Sequence, residues 1–144
     1  LNLKMIDLDD RVTEREGRSP AQLIVDEGEA AFRVIESDVL RELLERDGTC
    51  VIALGGGAWI VDANRQLIDE HSCLSVWLDV PFEVCWSRIE TSEEDRPLGR
   101  TRDQAKALFD RRRPVYQRAK IHVEVTGEGD LDSLLARIES QMKA

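Results

Sequence analysis

The chain has 144 residues, enough for one domain around a single core. No apolar run approaches the roughly 20 residues of a membrane span, which excludes a transmembrane helix, and a formal net charge of -9 argues against non-specific nucleic-acid binding. Leu1-Asn2-Leu3-Lys4 has no signal-peptide pattern, and Cys50, Cys73 and Cys85 are too few, odd in number and too scattered for a disulfide framework, so a cytoplasmic protein with reduced thiols is expected.

In chain order, Leu3 to Leu8 is a short apolar-rich run that reads as a strand. Alternation along it puts Asp7 and Asp9 on one side of an extended chain, so two carboxylates emerge together at its end. Ser19-Pro20-Ala21-Gln22 is a capping box with proline at the first helical position, and Gly28 stops the short helix that follows. A longer helix is expected over Glu29 to Arg46, with Phe32, Ile35, Val39 and Leu43 on its core face and Glu29, Arg33 and Glu36 on another. The strand Cys50 to Leu54 then runs into Gly55-Gly56-Gly57, a turn without side chains whose backbone can lie against a ligand.

Asp62 is expected to cap a helix through His71, followed by a strand over Leu74 to Leu78 and, after Pro81, a helix over Phe82 to Ile89. His71-Ser72-Cys73 reads as a helix end leading into a strand rather than as half of a metal site. Thr91 to Arg100 is polar, contains Pro97 and Gly99, and reads as the start of a mobile loop. Thr101-Arg102-Asp103-Gln104 is a second capping box, whose helix should run to Arg113, where Pro114 interrupts it. Ile121 to Val125 alternates as a strand, Thr126 to Gly129 turns, and Asp130 caps a last helix with Leu131, Leu134, Leu135, Ile138 and Met142 on its apolar face. This order predicts an α/β layer fold with a mostly parallel sheet.

Charge is unevenly spread. Between Arg96 and Lys120 nine Lys or Arg stand against Asp103 and Asp110 alone, leaving 11 basic and 27 acidic residues elsewhere. A cationic segment on an acidic body suits a small, highly charged anion. Ligands of parallel α/β sheets bind beyond the carboxyl ends of the strands, where Asp7, Asp9, Gly55 to Gly57 and Asp79 all fall. For Asp79 the simpler reading is a cap on the helix after Pro81; the paired Asp7 and Asp9 favour a site.

Asp7-Leu8-Asp9, the run Gly28 to Glu36, Leu54-Gly55-Gly56-Gly57, Asn64-Arg65, Arg96-Pro97-Leu98 and Arg112-Arg113-Pro114-Val115-Tyr116 resemble shikimate kinase in order and spacing over the whole chain. The resemblance implies a single P-loop kinase-like domain over 1-144, of the nucleoside monophosphate kinase type, with a lid region at 91-118. It also implies transfer of the γ-phosphoryl of ATP to the 3-hydroxyl of shikimate, with Mg2+, in a monomer. Arg33 and Arg112 match the arginines that bind the substrate carboxylate, a task that guanidinium performs with bidentate hydrogen bonds worth about 1.5 to 3 kcal/mol each. Arg33 also sits where it can pair with Glu29 or Glu36 along its helix, worth only about 0.2 to 0.5 kcal/mol; both readings stand, since Glu36 can orient Arg33. Asp9 matches the aspartate that contacts the substrate hydroxyls and helps deprotonate the attacking one. Asp7 matches the carboxylate near magnesium, acting through water. Gly55, Gly56 and Gly57 match the amides facing the substrate ring, Arg96 a lid arginine closing on the ATP phosphates, and Arg88 a second nucleotide contact.

The family begins with a strand, a Gly-x-x-x-x-Gly-Lys-Ser/Thr loop and a helix. None of the nine glycines here is followed by Lys-Ser or Lys-Thr, so the first, central strand and its phosphate loop are expected to lie outside this stretch, and activity to require them. At Thr126 to Asp130, where many relatives carry a basic residue near adenine, this chain has Gly127-Glu128-Gly129. The competing readings are a non-catalytic relative that holds shikimate but not ATP, and a different small-molecule kinase of the P-loop class.

Overall fold

The computed structural model describes residues 3–46, 48–92, 101–125 and 131–143, the side chain of Leu131 excepted. The chain divides into two compact units, Leu1–Cys73 and Leu74–Ala144.

In the first unit, β1 (Lys4–Asp7) leads into α1 (Leu8–Glu16), α2 (Pro20–Glu27) and α3 (Glu29–Leu44), then β2 (Cys50–Ala53), a 3-10 turn (Ala58–Ile60) and α4 (Asp62–Glu70). β1 and β2 pair in parallel, with Met5 opposite Val51 and Ile6 opposite Ile52. Ile6 and Ile52 pack against a core of Leu8, Val12, Leu23, Phe32, Val39, Leu40, Leu43, Ala58 and Ile68. Each large member of that core is stabilised by about 1.5 to 3 kcal/mol when fully buried. Met5 and Val51 point the other way and stay exposed.

α1 lies where only the end of a strand was expected. The Asp7 carboxylate accepts the Asp9 N–H at 2.8 Å as an N-cap, Asp9 and Asp10 put negative charge in the first turn, and Gly17 closes the helix at φ 68°. The chain therefore stops being extended at Asp7, and Asp9 is the second residue of a helix rather than the next outward residue of a strand. The Ser19 capping box forms as expected, with Gln22 answering the Ser19 N–H. α3 ends at Leu44, two residues before the expected Arg46. Asp62 is not the cap of α4: Val61 is, without a side-chain bond, and Asp62 instead pairs with Arg65.

In the second unit, β3 (Val76–Asp79), α5 (Phe82–Thr91), α6 (Arg102–Tyr116), β4 (Ile121–Glu124) and α7 (Leu131–Met142) follow. β3 and β4 are parallel, Val76 opposite Ile121 and Leu78 opposite Val123. Ile121 and Val123 are buried, whereas Val76 and Leu78 on the same face are exposed. The Thr101 capping box forms. Its helix does not stop at Arg113 but runs through Pro114 to Tyr116, because proline removes only one N–H near the helix end and Gln117 still donates to Arg113 O at 3.1 Å. Phe82 and Phe109 meet edge to face at 5.4 Å, tying α5 to α6.

The expected parallel layer is thus present as two parallel pairs, and among the described residues neither pair has a further strand on its edges. Parallel sheets are normally covered on both faces, so the exposed Met5, Val51, Val76 and Leu78 mark apolar strand surface that these residues leave uncovered. The turn expected at Thr126 to Gly129, the Asp130 cap and most of the 91–100 loop fall outside the described residues.

Candidate active site

β2 delivers Gly55 to Gly57 to its carboxyl end, and none of the three takes a positive φ. Their lack of side chains serves proximity instead. A methyl group at Gly57 would overlap the Arg33 guanidinium; one at Gly55 would stand 3.5 Å from Asp9 Oδ1 and 3.8 Å from Glu36 Oε1. Asp9 at the start of α1, Arg33 and Glu36 on α3, and the glycine turn therefore converge on one place, as the sequence suggested for Asp9, Arg33 and the glycines.

Arg33 is held from three sides. Its Nη1 donates to Glu36 Oε2 at 2.8 Å, its Nη2 to Glu29 Oε1 at 3.2 Å, and its guanidinium carbon lies 5.0 Å from the Phe32 ring centroid. The helix pairing expected of Arg33 exists, and it aims the guanidinium at the glycine turn. Glu36 is 1% exposed, an acid on the helix face that sequence periodicity assigned to Glu29 and Arg33 rather than to the core. A guanidinium fixed beside a bare backbone turn is suited to a carboxylate or phosphate.

The remaining expected residues are distributed as follows. Asp7 sits at the end of β1 with one carboxylate oxygen engaged in the α1 cap. Arg88 on α5 is exposed and Arg112 on α6 is half-buried, and neither makes an ion pair among the described residues. Arg113 differs from its neighbour: its Nη2 donates to Asp79 Oδ2 at 2.6 Å and its guanidinium lies 5.7 Å from the Trp77 ring. Asp79 is consequently not the cap of α5, whose N-cap is Pro81 without a side-chain bond; the long Arg113 side chain reaches it first. Arg96 lies outside the described residues. Cys85 is half-buried, and that burial raises its pKa despite the opposing charge of Arg88.

The family model for shikimate kinase matches residues 1–143. The chain belongs to the shikimate kinase family. A shikimate kinase of Cereibacter sphaeroides is 37% identical over 145 residues, covering 99% of this chain and 71% of that protein. The crystal structure of the shikimate kinase of Aquifex aeolicus superposes with a TM-score of 0.82 at 34% identity, over 99% of this chain and 82% of that one. The shikimate kinase of Acinetobacter baumannii, solved in complex with shikimate, gives a TM-score of 0.87 at 26% identity, over 98% and 79% of the two chains. Among the described residues no helix is long and apolar enough to cross a membrane. The P-loop kinase-like α/β fold anticipated from the sequence agrees with these neighbours.

Proposed function

We propose that this protein transfers the γ-phosphoryl of ATP to the 3-hydroxyl of shikimate, and that it does so when a phosphate-binding loop of the Gly-x-x-x-x-Gly-Lys-Ser/Thr type, which these 144 residues do not contain, completes the site. The observation carrying this reading is the convergence of Asp9, Arg33 and Glu36 on the turn Gly55 to Gly57. Shikimate is a hydroxylated carboxylate, and this place offers a fixed cation for the carboxylate, an aspartate for hydroxyls and a backbone bend for the ring.

Arg33 and Arg112 each recognise the carboxylate. Asp9 accepts from the substrate hydroxyls and draws the proton from the attacking one. Phosphoryl transfer rests mainly on positioning and on neutralising charge, so little basicity is required of Asp9. Arg96, in the lid region, and Arg88 act on the nucleotide. Among the described residues no group of three or more His, Cys, Asp or Glu could hold a metal; a single carboxylate, Asp7, acting through water suits magnesium, which keeps most of its waters and is otherwise held by nucleotide phosphates. Magnesium would supply charge neutralisation between the phosphates. Acting as a monomer in the cytoplasm is part of the same reading.

The test is shikimate-dependent ADP release by a polypeptide that includes the phosphate loop, run beside the 144-residue chain. Turnover by the longer polypeptide alone is the expected result. No turnover with shikimate bound would instead support a non-catalytic shikimate-binding protein, and no binding of shikimate by either would overturn the assignment.

A further inference from the structure

The side chains of the pair Asn64-Arg65, at the start of α4, engage the backbone that follows the glycine turn. Asn64 is 1% exposed and its Nδ2 donates to Ala58 O at 2.9 Å. Arg65 Nη1 donates to both Trp59 O, at 2.5 Å, and Ile60 O, at 2.9 Å, while its Nη2 is anchored by Asp62. Three consecutive carbonyls of the 3-10 turn are thereby taken by two side chains.

The turn needs them. Its own bonds, Ala58 N to Gly55 O at 3.0 Å and Ile60 N to Gly57 O at 3.1 Å, use the carbonyls of the glycines, and those of Ala58, Trp59 and Ile60 take the side-chain donors of Asn64 and Arg65. Unsatisfied buried carbonyls are costly, and a three-residue turn with glycine on one side has little rigidity of its own. Asn64 and Arg65 convert it into an extension of α4. Gly57 is the last residue before that extension and the one packed against the Arg33 guanidinium.

We propose that Asn64 and Arg65 are positioning residues of the substrate site: by clamping the carbonyls of residues 58 to 60 they fix Gly57, and through it the face on which the Arg33 guanidinium rests. This rests on the reading that Arg33 binds the carboxylate of shikimate. Acting through the turn, they set affinity for one substrate and not the chemistry of transfer.

The experiment uses the catalytically competent polypeptide, phosphate loop included, with KM for shikimate, KM for ATP, kcat and Tm measured for Asn64→Asp, Arg65→Ala and Arg65→Lys. Asn64→Asp keeps the shape and removes the donor. KM for shikimate should rise about tenfold, the effect of losing one buried hydrogen bond felt at the site, while KM for ATP stays within about twofold. Arg65→Lys, which reaches one carbonyl instead of two, should fall between wild type and Arg65→Ala. Unchanged KM for shikimate with a lowered Tm, or equal loss for both substrates, would overturn the proposal. Should Asn64→Asp not fold, the Arg65 series decides alone, because Arg65 retains 11% side-chain exposure and can lose its fork without opening the core. Wild-type protein that does not bind shikimate would sink the function proposed above and not this clamp, which then remains to be read by hydrogen exchange at Gly57 to Ile60: faster exchange in Arg65→Ala supports it and unchanged exchange overturns it.

Discussion

Arg33 and Glu36, one helical turn apart on α3, are joined at 2.8 Å with the carboxylate 1% exposed and the guanidinium directed at Gly57. A buried acid beside a cation at the edge of a site orients the cation more than it stabilises the fold, since desolvation offsets much of the attraction. Glu36→Gln preserves the shape and removes the charge. KM for shikimate is expected to rise about tenfold, the cost of weakening one charge-assisted hydrogen bond, with kcat falling less. Steady-state kinetics at saturating ATP checks this, and a kcat effect larger than the KM effect would count against an orienting role.

Gly55 and Gly57 should respond differently to the same added methyl group. At Gly57 the methyl would occupy the place of the Arg33 guanidinium, which is tethered by Glu36 and Glu29 and must leave them to make room. At Gly55 it would meet Asp9 and Glu36 oxygens at ordinary contact distances, from 3.5 Å. Gly57→Ala is therefore expected to weaken shikimate binding by at least about tenfold, the loss of one oriented guanidinium contact, and Gly55→Ala by much less. Calorimetric titration of both variants decides it; equal losses would mean that the substrate ring, not Arg33, claims the space above the turn.

On the proposed function, the adjacent arginines of α6 separate binding from architecture. Arg112→Ala is expected to abolish shikimate binding while nucleotide affinity is retained. Arg113→Ala removes the 2.6 Å pair with Asp79 and the contact with the Trp77 ring, a partly exposed pair and a cation–π contact together worth about 1 kcal/mol. It should lower Tm by a few degrees and leave KM for shikimate unchanged. Thermal melts and binding isotherms of both variants are the measurement, and a reversed assignment of effects would show that the sequence match chose the wrong arginine.

Local chemistry was legible in this sequence wherever one segment decides it. Ser19 and Gln22, and Thr101 and Gln104, form their reciprocal caps because each pair lies within a single turn. Asp9 misled for the same local reason: an acid after Leu8 continues the alternation of a strand as readily as it enters the first turn of a helix, and the Asp7 cap starts the helix before it. Asp79 misled because Arg113, 34 residues away, competes for it. The contact of Arg33 with Gly57 joins two elements that a pattern of spacings cannot bring together, so the sequence did not show that one glycine of the triplet makes room for a side chain of the protein itself. Asn64 and Arg65 carried a family signature without a visible task, since the carbonyls they bind become exposed to them only after the chain has turned.

Ser72 offers a test of the backbone between α4 and β3. It is an exposed residue at φ 54°, the one non-glycine with positive φ among the described residues, where its N–H donates to Asp69 O at 2.9 Å and Cys73 N–H to Ile68 O at 3.1 Å. These bonds close α4 and hold the reversal, but a Cβ in the left-handed region is opposed by the following carbonyl at about 1 to 2 kcal/mol. Glycine has no such opposition and loses part of the gain to its greater freedom in the unfolded chain. Ser72→Gly should therefore stabilise the protein by about 1 kcal/mol or less, seen as a small rise in Tm with KM for shikimate unchanged, whereas Ser72→Val, whose branched side chain is poorly tolerated at this φ, should lower it. A fall in Tm for the glycine variant would mean that the helix ends in another backbone conformation.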